Sequence, residues 1–311
     1  MLNELFVSPL REKYVEIGEE KFVLPIYFNE HWEKINQVKV REDDVYITGR
    51  MKTGTTWVHK IVNLIVYGMN SNDTNTSRLS RHKFLELPIS YNIETLAVKF
   101  PVLANTINEL KDMKSPRCIR SHLPWFLLSE EFRNGTKSPK IIHVLRNLKD
   151  TCISFNHHNR SMDGYRGTFE EFCRLFLAGR VVYGPFYVNI KSYWEQRNRS
   201  NLFFVKYSDL KKDLPRMIKN IADFLEKSIS ENEIQDLAEY RSMDSMRKHV
   251  GKEMSEFSTM VGATYNTCVG QTDFVRECKE GGYKTVMSEK LIREFDKCTK
   301  KALAGTELCF Q

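Results

Sequence analysis

The chain has 311 residues, and 47 Lys and Arg against 40 Asp and Glu give it a net charge of +7 at pH 7. A hydrophobic share of 41% with 28% charged residues excludes a disordered chain and a collagen-like repeat, and 19 Phe, 13 Tyr and 4 Trp supply a sizeable core. The seven cysteines are odd in number and scattered without a C-x-x-C pair, which excludes a disulfide-stapled miniprotein and argues against a zinc site.

The opening residues, Met1 to Arg11, carry no basic n-region and no long apolar run, so no secretion signal is expected and a cytoplasmic location follows. The longest apolar stretch, Ile61 to Met69, is interrupted by Asn63 and falls far short of the about 20 residues a membrane span needs. Basic residues are interleaved with acidic ones along the chain. That pattern suits a small anionic ligand and argues against nucleic acid as a partner.

The first strand expected is Val45-Tyr46-Ile47-Thr48, followed by a loop from Gly49 to Thr55. From Trp57 to Tyr67 apolar residues recur at 57, 58, 61, 62, 65 and 66, the spacing of a helix. Asn70 to Ser80 is a polar run and reads as a surface loop. Cys118-Ile119 sits in a second strand ending at Ser121-His122, and Ile141 to Leu145 is a third, followed by a helix from Asn147 to His157. Leu202 to Val205 is a fourth, followed by Ser208-Asp209 and a helix through Leu225. Val250 to Gly270 mixes Gly, Thr, Met and Ser without periodicity and suits either a lid or a long surface loop. Strands alternating with helices imply parallel pairing. The expected fold is α/β, a three-layer single domain over residues 1–311 with a central parallel sheet and a P-loop-like strand–loop–helix.

The sharpest local pattern is Gly49-Arg50-Met51-Lys52-Thr53-Gly54-Thr55-Thr56-Trp57 between a strand and a helix. Such a junction offers unpaired backbone N–H groups at a positive helix end, which is an anion site. The nucleotide P-loop places Lys directly after its second Gly, and here Thr55 stands there. Read singly, the stretch also fits a plain βα turn. Arg120-Ser121-His122-Leu123-Pro124 puts a histidine at a strand's carboxyl end, where it can act as a general base or simply pack. Arg146 closes the third strand, and Ser154 lies about two turns into the next helix. Lys52, His122, Arg146 and Tyr207 therefore all come after expected strands, on the edge where open parallel sheets bind ligands.

Together these runs resemble the cytosolic sulfotransferases, enzymes that move a sulfonate from 3′-phosphoadenosine 5′-phosphosulfate (PAPS) to hydroxyls or amines of small molecules. Lys52-Thr53-Gly54-Thr55-Thr56-Trp57 is similar to the family's 5′-phosphosulfate loop, and Ser121-His122-Leu123-Pro124 to its catalytic segment. Arg146-Asn147-Leu148-Lys149-Asp150 with Ser154 is similar to its 3′-phosphate motif. Val205 to Leu210, Phe84-Leu85-Glu86 and Ala304-Gly305-Thr306 fit shared blocks.

The resemblance implies PAPS as donor, PAP as product and no metal. It implies that Lys52, Thr53, Gly54, Thr55 and Thr56 hold the 5′-phosphate, with Trp57 and Tyr207 at the adenine. Arg146, Ser154 and Arg276 are expected at the 3′-phosphate. His122 would take the acceptor's proton, with Lys52 stabilising the leaving group. Phe84, Tyr91, Trp125, Phe126 and His157 would line an apolar acceptor cavity, although each also fits a core position.

The departures are specific. Arg120 stands where the family has Lys. Arg241-Ser242-Met243 replaces Thr-Ser-Phe, so Ser242 and Met243 are the adenine-side residues here. The phosphate loop near the C-terminus reads Arg276-Glu277-Cys278-Lys279-Glu280-Gly281, keeping Arg276 and Gly281. The dimer motif near Lys284 is degraded, which implies a monomer or a weak homodimer. The rival expectation is a PAPS- or PAP-binding protein with little catalysis, a carrier or sensor. A P-loop kinase acting on small molecules is disfavoured by the position of Lys52 and by the absence from this sequence of a clear Mg²⁺-binding Asp at a strand end.

Overall fold

The structure, a computed structural model, describes residues 2–8, 13–68, 83–99, 105–246 and 280–308. An antiparallel ribbon, β1 (Tyr14–Ile17) and β2 (Phe22–Pro25), precedes the main sheet. That sheet comprises β3 (Val45–Gly49), β4 (Lys83–Phe84), β5 (Cys118–Ser121), β6 (Lys140–Leu145) and β7 (Leu202–Lys206). Its order is β4-β5-β3-β6-β7 and every pairing is parallel. The four strands expected from the sequence are all present. The edge strand β4, only two residues long, and the β1–β2 ribbon were not among them.

Strand periodicity explains the three layers. Val45 and Ile47 face one side of the sheet with Ile142, Val144 and Val205, while Tyr46 faces the other with Ile119, Ile141 and Leu145. A sheet apolar on both faces needs helices on both. On the first face lie α1 (Thr55–Tyr67), which buries Val58, Ile61, Val62 and Ile65, and three later helices. On the second lie α2 (Leu148–Met162) and α3 (Phe169–Leu177), with Leu148, Cys152, Phe155, Phe172 and Phe176 in the core. Asn147 starts α2 by accepting a bond from the Lys149 N–H at 3.0 Å, and Thr168 and Glu171 form a capping box at α3.

The single helix expected through Leu225 is two, Tyr207–Lys212 and Leu214–Phe224. The break falls at Asp213, whose carboxylate caps the Arg216 N–H, and Pro215 follows at the start of the second helix. Proline has no N–H to give and is placed where none is needed. The helix expected to end at His157 continues to Met162. The Asn70–Ser80 loop and the Val250–Gly270 segment lie outside the described residues.

The amino end of the sheet is pinned by a buried ion pair. Arg117, just before β5, gives Nε to Asp44 Oδ1 at 2.7 Å and Nη2 to Asp44 Oδ2 at 2.6 Å. Its remaining donors reach the carbonyls of Leu110 at 2.7 Å and Lys39 at 2.8 Å. With its guanidinium fully engaged, this burial is tolerable. The other end of the sheet is left for chemistry. From β3 the chain runs out to one edge, then returns past it to β6, so β3 sits at the reversal of strand order.

Candidate active site

Each of the five parallel strands carries, at or just past its carboxyl end, a residue singled out from the sequence: Lys52, Phe84, His122, Arg146 and Tyr207. The register aligns Thr48 with Ser121 and Gly49 with Val144, so the residues that follow β3, β5 and β6 emerge side by side.

The loop after β3 is tightly wound. Thr53 gives its hydroxyl to the Arg50 carbonyl at 2.7 Å. Lys52 has φ 69° and Gly54 φ 107°, both in the left-handed region. Gly54 precedes α1, and a Cβ there would lie 2.7 Å from Cδ2 of Tyr207. Glycine is needed at this place both for the dihedral and for the ring beside it. Tyr207 is in turn covered by the Arg146 guanidinium, 4.4 Å from its ring centroid. Arg146 Nη1 bonds the Lys52 carbonyl at 3.0 Å, and its Nε is buried without a protein partner. Gly54→Ala should therefore displace Tyr207 and Arg146 together. We expect a loss of about 1–3 kcal/mol of stability from backbone strain and overpacking and weaker PAP binding by calorimetry; a native melting curve with native PAP affinity would show that the loop accommodates a methyl group.

His122 is held from three sides. Its N–H donates to Glu86 Oε1. Its carbonyl accepts from Asn189 Nδ2 at 3.0 Å. Its Nδ1 lies 2.6 Å from the Gly49 carbonyl. A carbonyl can only accept, so Nδ1 carries the ring proton and Nε2 is left with a lone pair that can take a proton. Burial first, and the charge of Arg120 next, push the imidazole down to about 3, so it is neutral at physiological pH. The ring packs against Phe84 at 5.3 Å and Tyr183 at 5.8 Å.

Arg120 closes this side. Its Nη1 donates to Thr56 Oγ1 at 3.0 Å, its Cζ lies 4.8 Å over Phe84, and its Nε has no protein partner. Burial lowers its guanidinium below the ordinary value. Glu86 was noted in the sequence only as part of a shared block. Its carboxyl is wholly buried and pushed up to about 7 by that burial, with Oε2 unpartnered. An acid after two apolar residues was the only signal available for its role.

The remaining expected residues divide. Trp57 is buried edge-on to Tyr207 at 5.7 Å, and its Nε1 donates to the Arg241 carbonyl at 2.8 Å. Ser154 is half-buried on α2, on the helix that follows Arg146. Ser242 accepts from the Ser245 N–H at 3.3 Å and so starts the short helix Met243–Met246. Gly281 donates its N–H to Asp150 Oδ2 at 2.8 Å, and Tyr283 donates to Oδ1 at 3.1 Å. Asp150, which sequence reading gave no task, thus ties the C-terminal segment to α2. Arg276, Glu277 and Cys278 lie outside the described residues.

Among the expected acceptor residues, Phe84 is beside His122, and Tyr91 is near enough to act on Arg120. Trp125 is not brought to this group; its ring packs against Phe132 at 5.2 Å and Tyr193 at 5.6 Å. Phe126 packs on Phe22 at 6.4 Å, and His157 lies half-buried on α2.

Lys52, Arg120 and Arg146, a glycine-bearing loop at a helix start and a neutral imidazole make a site for an anion and a proton acceptor. The unpartnered nitrogens of Arg120 and Arg146 fit phosphate-type oxygens.

Comparison with known proteins agrees with this chemistry. A model described as the sulfotransferase domain matches residues 42–307. Luciferin sulfotransferase of Photinus pyralis is 34% identical over 313 residues, spanning 98% of this chain and 84% of that protein. Sulfotransferase 1B1 of Mus musculus is 30% identical over 287 residues, spanning 90% of this chain and 89% of that one. Among solved structures, retinol dehydratase in a complex with retinol and PAP shares the fold, with a TM-score of 0.83 at 23% identity over 99% of this chain and 94% of that one. Among the described residues no helix is long and apolar enough to cross a membrane. With a domain model covering most of its length and relatives matched nearly end to end, the chain belongs to the sulfotransferase family.

Proposed function

We propose that the protein moves a sulfonate from PAPS to a hydroxyl or amine of a small, largely apolar acceptor in the cytoplasm. The observation that carries this is His122, fixed as its Nδ1–H tautomer by Gly49 at the head of the phosphate-type loop. The donor supplies the sulfonate and leaves as PAP. Thr53 to Thr56 and the start of α1 would hold the 5′-phosphate; Arg146, with Ser154 and Arg276, would take the 3′-phosphate; Trp57, Tyr207, Ser242 and Met243 would lie at the adenine side, with Gly281 at the return of the loop. His122 Nε2 receives the acceptor's proton. Lys52 and Arg120 offset charge building on the leaving oxygen, so no metal is needed for that task.

The low proton affinity of His122 favours a second reading, a PAP-binding protein with little catalysis. Negative charge brought beside Lys52 and Arg120 would offset two of the cations that now lower the imidazole, so binding the donor should strengthen the base.

Incubation with labelled PAPS and a panel of phenols, steroids and amines separates the two readings. Labelled product is expected; PAP binding without product on any acceptor would establish the carrier. Lys52→Ala should lower turnover at saturating PAPS by about 10²–10³-fold as well as weaken PAPS binding, because its charge matters most in the transition state. A change in affinity alone would make Lys52 a binding residue and nothing more.

A further inference from the structure

Among the described residues two arginines are fully buried, each 1% exposed, and they differ in their partners. Arg117 has its nitrogens on a carboxylate and two carbonyls. Arg50 has none among the described residues: Nε, Nη1 and Nη2 are all buried without a hydrogen-bond partner. What covers Arg50 is aromatic. Its Cζ lies 4.4 Å from the Phe176 ring centroid and 4.8 Å from that of Phe155. Rings satisfy the flat faces of a guanidinium but not its N–H edge. The side chain is anchored at its root, since the Arg50 carbonyl accepts from Thr53 N at 3.3 Å and Thr53 Oγ1 at 2.7 Å. It follows Gly49, whose carbonyl holds His122, and its charge is close enough to act on that imidazole.

A rigid, desolvated cation with an empty N–H edge calls for a flat anion with two oxygens. We propose that Arg50 recognises a carboxylate on the acceptor, so that the preferred acceptors are hydroxylated aromatic acids. This rests on the sulfonate-transfer reading and specifies its substrate class. Phe155 and Phe176 hold the guanidinium edge-on to the carboxylate, and the hydroxyl at the far end of the molecule meets His122. The loop residues 52–56 and Arg146 remain for the donor, so donor and acceptor anions have separate cations.

The test uses phenols bearing a carboxylate one to four methylenes from the ring, each beside its methyl ester, with 2-naphthol as a neutral reference. Transfer from labelled PAPS gives kcat/KM, and calorimetry on the PAP-loaded protein gives acceptor affinity. The best acid should exceed its ester by about 10- to 100-fold in both, the worth of hydrogen bonds to a charged group. Arg50→Met should collapse that ratio. Arg50→Lys, which keeps the charge without the fork, should lower it in part and serves if the Met variant does not fold. The proposal is overturned if no acid outperforms its ester, or if both variants keep the native ratio. It is equally overturned if they weaken PAP binding and leave the ratio untouched. Transfer to 2-naphthol without acid preference would sink this inference alone. Absence of transfer to every acceptor would sink the sulfonate-transfer reading, and the calorimetric acid–ester ratio would still decide the role of Arg50.

Discussion

His122→Ala is expected to lower turnover about 10²–10⁴-fold, the range for loss of a general base, while PAP binding stays near native. The structure explains why the two effects should separate. The bonds from Glu86 and Asn189 reach the backbone N–H and carbonyl of residue 122, not its ring, so the segment keeps its place when the imidazole is removed. The phosphate-type loop is held independently, by Thr53 on Arg50 and by Arg146 on Lys52. Only the Nδ1 bond to Gly49 is lost. Single-turnover transfer from labelled PAPS and PAP calorimetry on the same preparation make the measurement. Near-native turnover would remove His122 from the mechanism.

The second large effect is on stability against acid. His59, His122 and His143 are each buried and pushed down to about 3, from an ordinary 6.5, chiefly by that burial. In the unfolded chain all three take up a proton as pH falls below 6.5; in the native protein they do not. Their contribution is therefore present above 6.5 and is lost toward pH 3. Glu86 works in the opposite sense. Its carboxyl is raised from 4.5 to about 7, so its contribution is present below 4.5 and is lost as pH rises toward 7. Between pH 4.5 and 6.5, three imidazoles against one carboxyl leave the unfolded state ahead by two protons. The resulting slope is about 3 kcal/mol per pH unit, large against a total of roughly 5–15 kcal/mol. Urea unfolding at pH 7.5, 6 and 5 should show the midpoint falling steeply. A flat free energy over this window would mean that the three rings are hydrated or paired in solution.

Local pattern made much of this molecule legible. Val45 to Thr48 and Ile141 to Leu145 are apolar runs that only a doubly covered sheet explains, and both are central strands. The spacing of Val58, Ile61, Val62 and Ile65 announced α1. Lys52, His122, Arg146 and Tyr207 could be placed at one edge because each comes after such a run. β4 could not be read, since a two-residue strand has no period and exists only by pairing with β5. The inward turn of Arg50 was equally hidden. Its rings, Phe155 and Phe176, come from helices more than a hundred residues later, and an arginine after a glycine turn ordinarily faces water. Asp213 and Pro215 did carry the signal of a helix break, but the apolar run through Leu225 masked it.

The tie between Trp57 and the Arg241 carbonyl joins residues 184 positions apart, and that between Asp150 and Gly281 spans 131. The first cannot form before residue 241 has been made, nor the second before residue 281. During synthesis the strands and the loop after β3 emerge early, yet the segments proposed for the adenine side and for the return of the phosphate loop are tied down only by residues from Arg241 onward. On the proposed function, a nascent chain that stops short of Arg241 is thus unable to hold the nucleotide with native strength. Because whatever binds only the native state stabilises it in proportion to its concentration, the donor can protect finished molecules from degradation while offering nothing to truncated ones.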